Sequence, residues 1–387
     1  MNFVFLSPHF PPNFRHFCIQ LRNAGANVFG VADAPFEQLH WELRDALTYY
    51  YRVGDMHNWD QLCGALHFFQ NGWGKIDRLE SMNEYWLGTE AGLRSDFDIW
   101  GLKRDAIDRV KRKSLMKQCF VDAGLNPARG KVVLSEDDLW GFVREVGFPI
   151  VAKPDMGVGA AATYKLENDD DVRRFWWEKQ YIDYILEEYL DGQVVTFDGL
   201  VDADGEPVFL SSLRYSQGVM DVVNQDTDIY YWTVREIEPS LMDAGMRTLK
   251  AFDVRERFFH FEFFLFPDGT VRPMEVNMRP PGGFTIDMWN YADDFDAYRI
   301  WAELVVQGKK PRFGDAHKYF VNYVGRKDHI HYALNHGDIY SRFGDMIVME
   351  SRMPDAFSRA LGNSFFLVRH EDIEPVIAAA QAIEARA

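Results

Sequence analysis

The sequence predicts an α/β and α+β fold, with a doubly wound parallel domain at the N-terminus and a larger region of mixed sheets after it. Three observations support this. Short apolar segments alternate with helical spacing over the first hundred residues, hairpin signals dominate the middle of the chain, and 387 residues are too many for one compact core. We therefore expect several lobes rather than a single domain.

The first lobe begins with an apolar strand at residues 2–6, a proline-rich loop and a helix that should end at Gly25. Strands and helices then alternate with short connections, which implies a parallel sheet. It lacks the glycine pattern of a dinucleotide site. Because ligands of such sheets bind beyond the carboxyl ends of the strands, Glu80 and Glu84 are candidate substrate residues. Each is equally expected as a surface charge.

The middle of the chain reads as two mixed units. Residues 109–124 have the spacing of one helix ending at Gly124, and a strand at residues 148–154 follows. Asp204-Gly205 marks a hairpin. The polar stretch 217–230 lacks periodicity, so we expect a loop that can close over a site. Strands and a helix after residue 310 should form a small C-terminal module.

The charge balance excludes several classes of partner. The chain has 42 Lys and Arg against 59 Asp and Glu, a net charge of −17, which repels nucleic acid and anionic lipid. No stretch approaches the roughly 18 apolar residues of a membrane span. The start lacks signal-peptide features, and the three cysteines form no paired motif. We expect a soluble, cytoplasmic protein without nucleic-acid or membrane partners.

The most informative segment contains Asp268-Gly269, a strong signal for a two-residue hairpin turn. A turn centred there places Glu262 opposite Glu275 and His260 opposite Asn277. Strand alternation puts these side chains on one face and a row of phenylalanines on the other. The two glutamates should therefore face each other beside apolar neighbours.

Opposed like charges destabilise a strand pair unless something neutralises them. A proton shared by the two carboxylates is one solution. A magnesium ion held by Glu262, Glu275 and Asn277 is another, because that ion prefers oxygen ligands. A solvated outer face, with both glutamates as surface charges, is the third interpretation.

A magnesium site would need phosphate ligands nearby, and Lys113 and Lys153 are the candidates. Gly157 and Gly159, in the loop after Lys153, would let backbone amides approach phosphate oxygens. A lysine after a strand is by itself more often a solvated charge. The assignment of the two lysines to phosphate therefore depends on the magnesium site at the hairpin.

These motifs together resemble the ATP-grasp superfamily, in its carboxylate–amine (amino acid or peptide) ligase branch with a biotin carboxylase-like ATP-grasp domain. The matching features are a lysine eleven residues before Gly124, the segments VAKPDMGVG and ILEEYLDG, and the run EVNMRPPGG. The resemblance covers nearly the whole chain. It implies a Rossmann-like substrate domain at 1–105, a small ATP-grasp lobe at 106–190, a large lobe at 191–310 and a β-rich module at 311–387.

The resemblance also implies roles for individual residues. ATP would be bound by residues of the small lobe: Lys113, Lys153, Gly157, Gly159, Glu187 at the adenine amino group, and Leu190 through its backbone. Two Mg²⁺ ions, replaceable by Mn²⁺, would be held by Glu262, Glu275 and Asn277. Arg279 would be the catalytic residue that steadies the transferring phosphoryl group. Weaker candidates for substrate contact are Glu80, Glu84, Arg214 and His260.

The implied reaction is ATP-dependent ligation, in which a small-molecule carboxylate becomes an acyl phosphate and an amine then displaces phosphate. Val194 stands where many members carry a ribose-binding glutamate, and the flap is rich in alanine. A small-molecule kinase, a carboxylase and a catalytically idle nucleotide sensor stay open as alternatives. The acid, the amine and the oligomeric state are not indicated by the sequence.

A zinc site is a weaker alternative reading of the C-terminal region. Four of the eleven histidines lie between His317 and His336, and His329 and His331 would point to one side of a strand. No cysteine or carboxylate cluster joins them.

Overall fold

The computed structural model describes residues 1–157, 162–218, 222, 226–310 and 318–387. Its strands form a parallel sheet of four, an antiparallel sheet of four and an antiparallel sheet of nine. This mixture of parallel α/β and antiparallel α+β parts confirms the predicted fold class. None of the described helices is long and apolar enough to cross a membrane.

The N-terminal lobe is a doubly wound sheet in the order β3-β2-β1-β4. Its strands are β1 (Asn2–Leu6), β2 (Asn27–Ala32), β3 (Tyr49–Arg52) and β4 (Arg78–Glu80), and its helices are α1 (Arg15–Asn23), α2 (Trp41–Ala46), α3 (Trp59–Trp73) and α4 (Leu87–Asp96). Helix α1 ends as predicted, because Gly25 takes a φ of 100° just after its last turn.

The segment predicted as one helix at residues 109–124 is two helices, α5 (Asp108–Lys111) and α6 (Lys113–Asp122). Arg112 is extended and forms a bridge with Met156. The N–H of Lys113 donates to the Asp155 carbonyl at 2.9 Å, and the N–H of Ser114 donates to the Asp155 carboxylate at 2.8 Å. This tertiary capping, invisible in helical periodicity, places Lys113 at the start of a new helix.

The small antiparallel sheet follows, in the order β5-β8-β6-β7. Its elements are β5 (Gly130–Val133), α7 (Glu136–Val146), β6 (Ile150–Pro154), β7 (Tyr164–Leu166), α8 (Asp169–Glu178) and β8 (Tyr184–Glu188). Both helices begin with a side-chain cap, from Ser135 and Asn168.

The nine-stranded sheet has the order β14-β13-β9-β11-β12-β15-β17-β16, with β10 beside β9. Its strands are β9 (Gln193–Val201), β10 (Pro207–Ser211), β11 (Leu213–Tyr215), β12 (Tyr230–Thr233), β13 (Arg257–Leu265), β14 (Val271–Asn277), β15 (Phe320–Arg326), β16 (Ile347–Arg352) and β17 (Ser364–His370). Its helices are α9 (Pro239–Ala251), α10 (Thr285–Asp293), α11 (Ala297–Gln307), α12 (His336–Phe343), α13 (Asp355–Leu361) and α14 (Ile373–Glu384). The C-terminal strands thus extend the large-lobe sheet instead of forming their own.

The hairpin between β13 and β14 confirms the predicted pairing of Glu262 with Glu275 and of His260 with Asn277. The predicted two-residue turn is wrong. The N–H of Phe266 donates to the Thr270 carbonyl, and the N–H of Gly269 donates to the Phe266 carbonyl. Residues 267–269 therefore form a three-residue loop, in which Gly269 has a φ of 83°. The register then shifts between Glu262 and Phe263. This bulge offsets the longer loop and restores the predicted pairing.

One aromatic cluster joins the N-terminal lobe to the large lobe. Phe17 of α1 packs edge-on against Trp301 of α11 with ring centroids 5.2 Å apart, and against Phe258 of β13 at 5.9 Å. All three are buried. Burying each ring contributes roughly 1.5–3 kcal/mol, so the cluster fixes the N-terminal lobe beside the strand that carries Glu262.

The C-terminal helix α14 buries Val376, Ala379 and Ile383. Glu384 ends this helix, and one of its oxygens is buried with no hydrogen-bond partner in the described part of the chain. Burial, together with the nearby Asp228 carboxylate, raises the pKa of Glu384 to about 8.

Glu384→Gln should stabilise the fold in mildly alkaline solution. Between the ordinary carboxyl pKa of 4.5 and about 8, folded wild type keeps a proton that the unfolded chain has released, so its stability falls as pH rises through this window. The amide does not ionise. We expect the Tm of the variant to exceed that of wild type by about 2–4 °C at pH 8.5 and to match it near pH 4.5.

Glu374→Gln is the matched control, because Glu374 is exposed on the same helix. Its Tm difference from wild type should stay near zero at both pH values. An equal gain in both variants would show that charge on the helix, rather than burial of Glu384, sets the effect.

Candidate functional site

Six side chains form two rows across three neighbouring strands, β9, β13 and β14. The first row is Asp198, His260 and Asn277, and the second is Thr196, Glu262 and Glu275. Directly opposed residues on paired strands point to the same face. The strands therefore collect four ionisable groups on one face, and phenylalanines of β13 fill the core behind them.

Only the two glutamates of this set are open to solvent. The side chains of Glu262 and Glu275 are 27% and 23% exposed, whereas Asp198 and Thr196 are 0% exposed and His260 and Asn277 are 5% exposed. Lys113 of α6 approaches Glu275, with Nζ 3.5 Å from Oε1. The sheet therefore presents two opposed carboxylates toward the small lobe.

The facing side of the small lobe is cationic. Lys153 of β6 lies 2.8 Å from Glu187 Oε2, and Lys117 of α6 lies 2.7 Å from Glu187 Oε1. Burial by itself would raise the pKa of Glu187, but the two lysines outweigh it and lower that pKa to about 2. Burial opposes the charge of Lys153, yet Glu187 and then Glu275 raise the pKa of this lysine.

Lys117 was missed by the sequence analysis. Its spacing of four residues from Lys113 puts both lysines on one face of α6, which was the available signal. Its Nζ also donates to the Ala128 carbonyl at 2.8 Å. Lys117 thus links Glu187 of β8 to the segment just before β5.

The glycine-rich loop follows Lys153 directly. Lys113 Nζ donates to the Gly157 carbonyl at 3.4 Å, so this end of the loop meets the lysine predicted to bind phosphate. Gly159 lies outside the described residues, as do residues 219–221 and 223–225 of the expected loop at 217–230. Leu190 lies two residues beyond the end of β8, the strand that contains Glu187.

Glu84 and Arg279 meet where the N-terminal lobe faces the end of β14. Arg279 Nε lies 3.8 Å from Glu84 Oε2, and its Nη2 donates to Asn277 Oδ1 at 3.3 Å. Glu84 is buried, and its Oε2 has no hydrogen bond within the described residues. Burial raises the pKa of Glu84 despite the attraction of Arg279.

Glu80 and Arg214 lie apart from this group. Both oxygens of Glu80 are 3.1 Å from Arg257 Nη2, and Arg94 adds a third contact at 2.8 Å. Arg214 opposes Val195 on the core face of the sheet and pairs with Glu238. The described structure thus does not bring Glu80 and Arg214 together with the opposed glutamates.

His260 lies between two acids instead of facing a substrate space. Its Nδ1 is 2.7 Å from Asp198 Oδ1 and its Nε2 is 3.2 Å from Glu262 Oε1. Burial alone would lower the pKa of His260, but the two carboxylates raise it to about 9. Asp198 is the second residue that the sequence analysis missed.

The oxygen atoms of Glu262, Glu275 and Asn277 fit Mg²⁺ better than a softer metal. Within the described residues no group of three or more His, Cys, Asp or Glu could hold a metal unaided. The predicted placement of His329 and His331 on a strand is wrong, because both lie in the loop after β15, where His329 pairs with Asp226 at 2.9 Å. Mg²⁺ usually takes one or two protein carboxylates and completes its shell with phosphates.

Comparisons with known proteins match this arrangement. Residues 146–287 match the family model of the ATP-grasp domain. Over 251 residues the chain is 24% identical to an L-arginine-specific L-amino acid ligase of Bacillus subtilis, a match that covers 58% of this chain and 59% of that protein. Over 132 residues it is 25% identical to the arginine-specific carbamoyl phosphate synthase large chain of Oryza sativa, covering 33% of this chain and 11% of that one.

Solved structures share the whole architecture. The L-amino acid ligase of Bacillus licheniformis superposes with a TM-score of 0.74 at 12% identity, covering 99% of this chain and 96% of that one. The ADP complex of an N5-carboxyaminoimidazole ribonucleotide synthetase gives a TM-score of 0.72 at 12% identity, with the same coverage of both chains. Identities this low establish the fold alone.

Lys117→Met should destabilise the fold by about 3 kcal/mol at pH 7, because Glu187 keeps only one of its two buried cations. The stability that Glu187 contributes is present above the ordinary pKa of 4.5 and is lost as pH falls toward 2. Because the variant's folded pKa lies closer to 4.5, the variant has less of this stability to lose, so its deficit relative to wild type should narrow as pH falls. Urea unfolding at pH 7 and at about pH 4 measures both effects.

Lys131→Met is the control for removing a lysine. Lys131 pairs with Asp138 at 2.8 Å, but its side chain is 50% exposed. Loss of such a surface pair costs less than about 1 kcal/mol. Equal losses in the two variants would contradict the special weight given to Lys117.

Proposed function

We propose that this chain, which carries an ATP-grasp domain, is an ATP-dependent ligase that joins a small-molecule carboxylate to an amine and releases ADP and phosphate. The amino acid ligase relatives support an amino acid as the carboxylate. We place the reaction in the cytoplasm. The matches cover less than two thirds of either curated relative, so the substrate class is part of this proposal.

The opposed pair of Glu262 and Glu275 carries this proposal. Two carboxylates held face to face in an apolar sheet call for a cation between them. Lys113 and Lys153 approach from the small lobe and would meet the phosphates of ATP. Together with Asn277, the glutamates would hold Mg²⁺, two ions in our proposal, with Mn²⁺ as a substitute.

The small lobe would bind the rest of the nucleotide. Glu187, kept ionised by its lysines, would accept the adenine amino group, and Leu190 would add backbone hydrogen bonds. Gly157 and Gly159 would bring backbone amides to the phosphates. When ATP enters, Lys153 would exchange part of its contact with Glu187 for a phosphate oxygen.

The reaction would proceed in two steps, phosphoryl transfer and then attack by the amine. A carboxylate oxygen attacks the terminal phosphorus, the bond to the bridging oxygen breaks, and ADP leaves. The amine nitrogen then attacks the acyl carbon of the resulting acyl phosphate, the bond to phosphate breaks, and the nitrogen loses a proton. Mg²⁺, when bound, draws negative charge away from the phosphates.

Two residues where the N-terminal and large lobes meet would contact the reacting groups of the substrate. Arg279 would steady the negative oxygens of the transferring phosphoryl group and of the acyl centre. Glu84, buried beside it with an unbonded oxygen, would hold the ammonium group of an amino acid substrate. His260 has no free nitrogen in the described structure and would not contact substrate.

Product analysis tests the reaction class. Purified protein, Mg²⁺ and ATP are incubated with amino acids singly and in pairs, and ADP, phosphate and mass are followed. We expect full ADP release only when a carboxylate and an amine are both present, with a new amide of matching mass. Full-rate ADP release with bicarbonate or a hydroxyl compound and no amine would instead favour a carboxylase or kinase.

Glu275→Gln should reduce turnover by at least about 100-fold and leave the fold intact, because the amide removes one of two opposed charges that hold the cation. The loss of like-charge repulsion should keep Tm at or above the wild-type value. Glu236→Gln, at an exposed site of the same lobe, should leave turnover unchanged. Wild-type turnover by Glu275→Gln would remove the metal assignment.

A further inference from the structure

A chain of hydrogen bonds runs behind Glu262, away from the side that faces the small lobe. Asp198 of β9 and His260 of β13 are directly opposed, and His260 Nδ1 lies 2.7 Å from Asp198 Oδ1. The other ring nitrogen, Nε2, lies 3.2 Å from Glu262 Oε1. The imidazole therefore links a buried carboxylate to an exposed one.

The buried end of this chain is fixed by the backbone. The N–H of Leu213 donates to Thr196 Oγ1 at 2.8 Å. Thr196 in turn donates its hydroxyl hydrogen to Asp198 Oδ2. Asp198 thus receives Thr196 on one oxygen and His260 on the other, which leaves its carboxylate one orientation.

Core packing does not explain these charges. The neighbours of His260 along β13 are Phe258, Phe259 and Phe261, all fully buried. Replacing a buried charged pair by apolar residues of similar volume is often neutral or stabilising. A histidine buried in the phenylalanine-rich strand β13, and an aspartate buried opposite it on β9, need another reason to be there.

We propose that Asp198 and His260 are positioning residues for Glu262: Asp198 fixes the imidazole, which occupies Glu262 Oε1 so that Oε2 is left for the metal ion. The inference rests on the proposed function, because it assumes that Glu262 is a metal ligand. Histidine and carboxylate partners of this kind orient metal ligands in many proteins, and their loss typically costs 10–100-fold in metal affinity.

Mn²⁺ binding measures this effect without turnover. The binding of Mn²⁺ to the full-length protein with a non-hydrolysable ATP analogue is followed by electron paramagnetic resonance. We expect Asp198→Asn and His260→Gln each to raise the Mn²⁺ Kd by about 10–100-fold. Binding of the analogue without metal should change less than about threefold, because the hydrogen-bond partners of both residues in the described structure lie on β9 and β13.

The double variant separates positioning from general support of the fold. If Asp198 acts through His260, Asp198→Asn adds no further loss of Mn²⁺ affinity once His260 is Gln. Additive losses would overturn the proposal. Thr196→Val, which removes the hydroxyl that holds Asp198, should give a smaller loss in the same direction, and it tests the chain again if Asp198→Asn does not fold.

Asp287→Asn is the matched control. Asp287 is a partly buried carboxylate, bonded to Asn13 at 3.2 Å and to Tyr298 at 3.1 Å, so its loss should lower Tm without changing the Mn²⁺ Kd. If wild type itself binds no Mn²⁺ with the analogue, the proposed function fails. If wild type binds Mn²⁺ and Asp198→Asn binds it equally well, only the positioning role fails.

Discussion

The opposition of two carboxylates, Glu262 and Glu275, is the constraint around which the rest of this structure is arranged. Carboxylates paired across antiparallel strands repel each other, and the apolar core behind them strengthens the repulsion. Three basic side chains lie near these carboxylates and reduce the repulsion. Lys113 approaches from the small lobe, His260 from the same strand and Arg279 from beyond Asn277. These cations offset the negative charge that the strand pairing concentrates at the site.

Each of the three sheets contributes residues to this site. The large sheet holds the acids in register, the small sheet holds Lys153 and Glu187, and the N-terminal lobe supplies Glu84. Two joints set their relative positions. The break at Arg112 turns Lys113 toward Glu275, and the aromatic cluster around Phe17 fixes the N-terminal lobe beside β13. Geometry at the joints therefore decides which charges meet.

The hairpin illustrates how a correct pairing can arise from different local parts. The tight two-residue turn expected at Asp268-Gly269 is replaced by a three-residue loop, which alone would move Glu275 out of register. The bulge near Met274 adds the missing residue and returns Glu275 to Glu262. Because a one-residue slip would send the glutamate into the phenylalanine core, the energy of burial selects the bulge.

The sequence by itself determined the fold class, most strands, the facing glutamates and the two lysines, because these depend on strand alternation, turn residues and short-range spacing. Tertiary structure alone decided the break before Lys113, the joining of the C-terminal strands to the large sheet, and the roles of Lys117 and Asp198. It also placed Glu80 and Arg214 apart from the opposed glutamates, with partners of their own. The reason is physical: a buried charge depends on its partner, and these partners lie between 11 and 177 residues apart in the chain, beyond the reach of any local pattern.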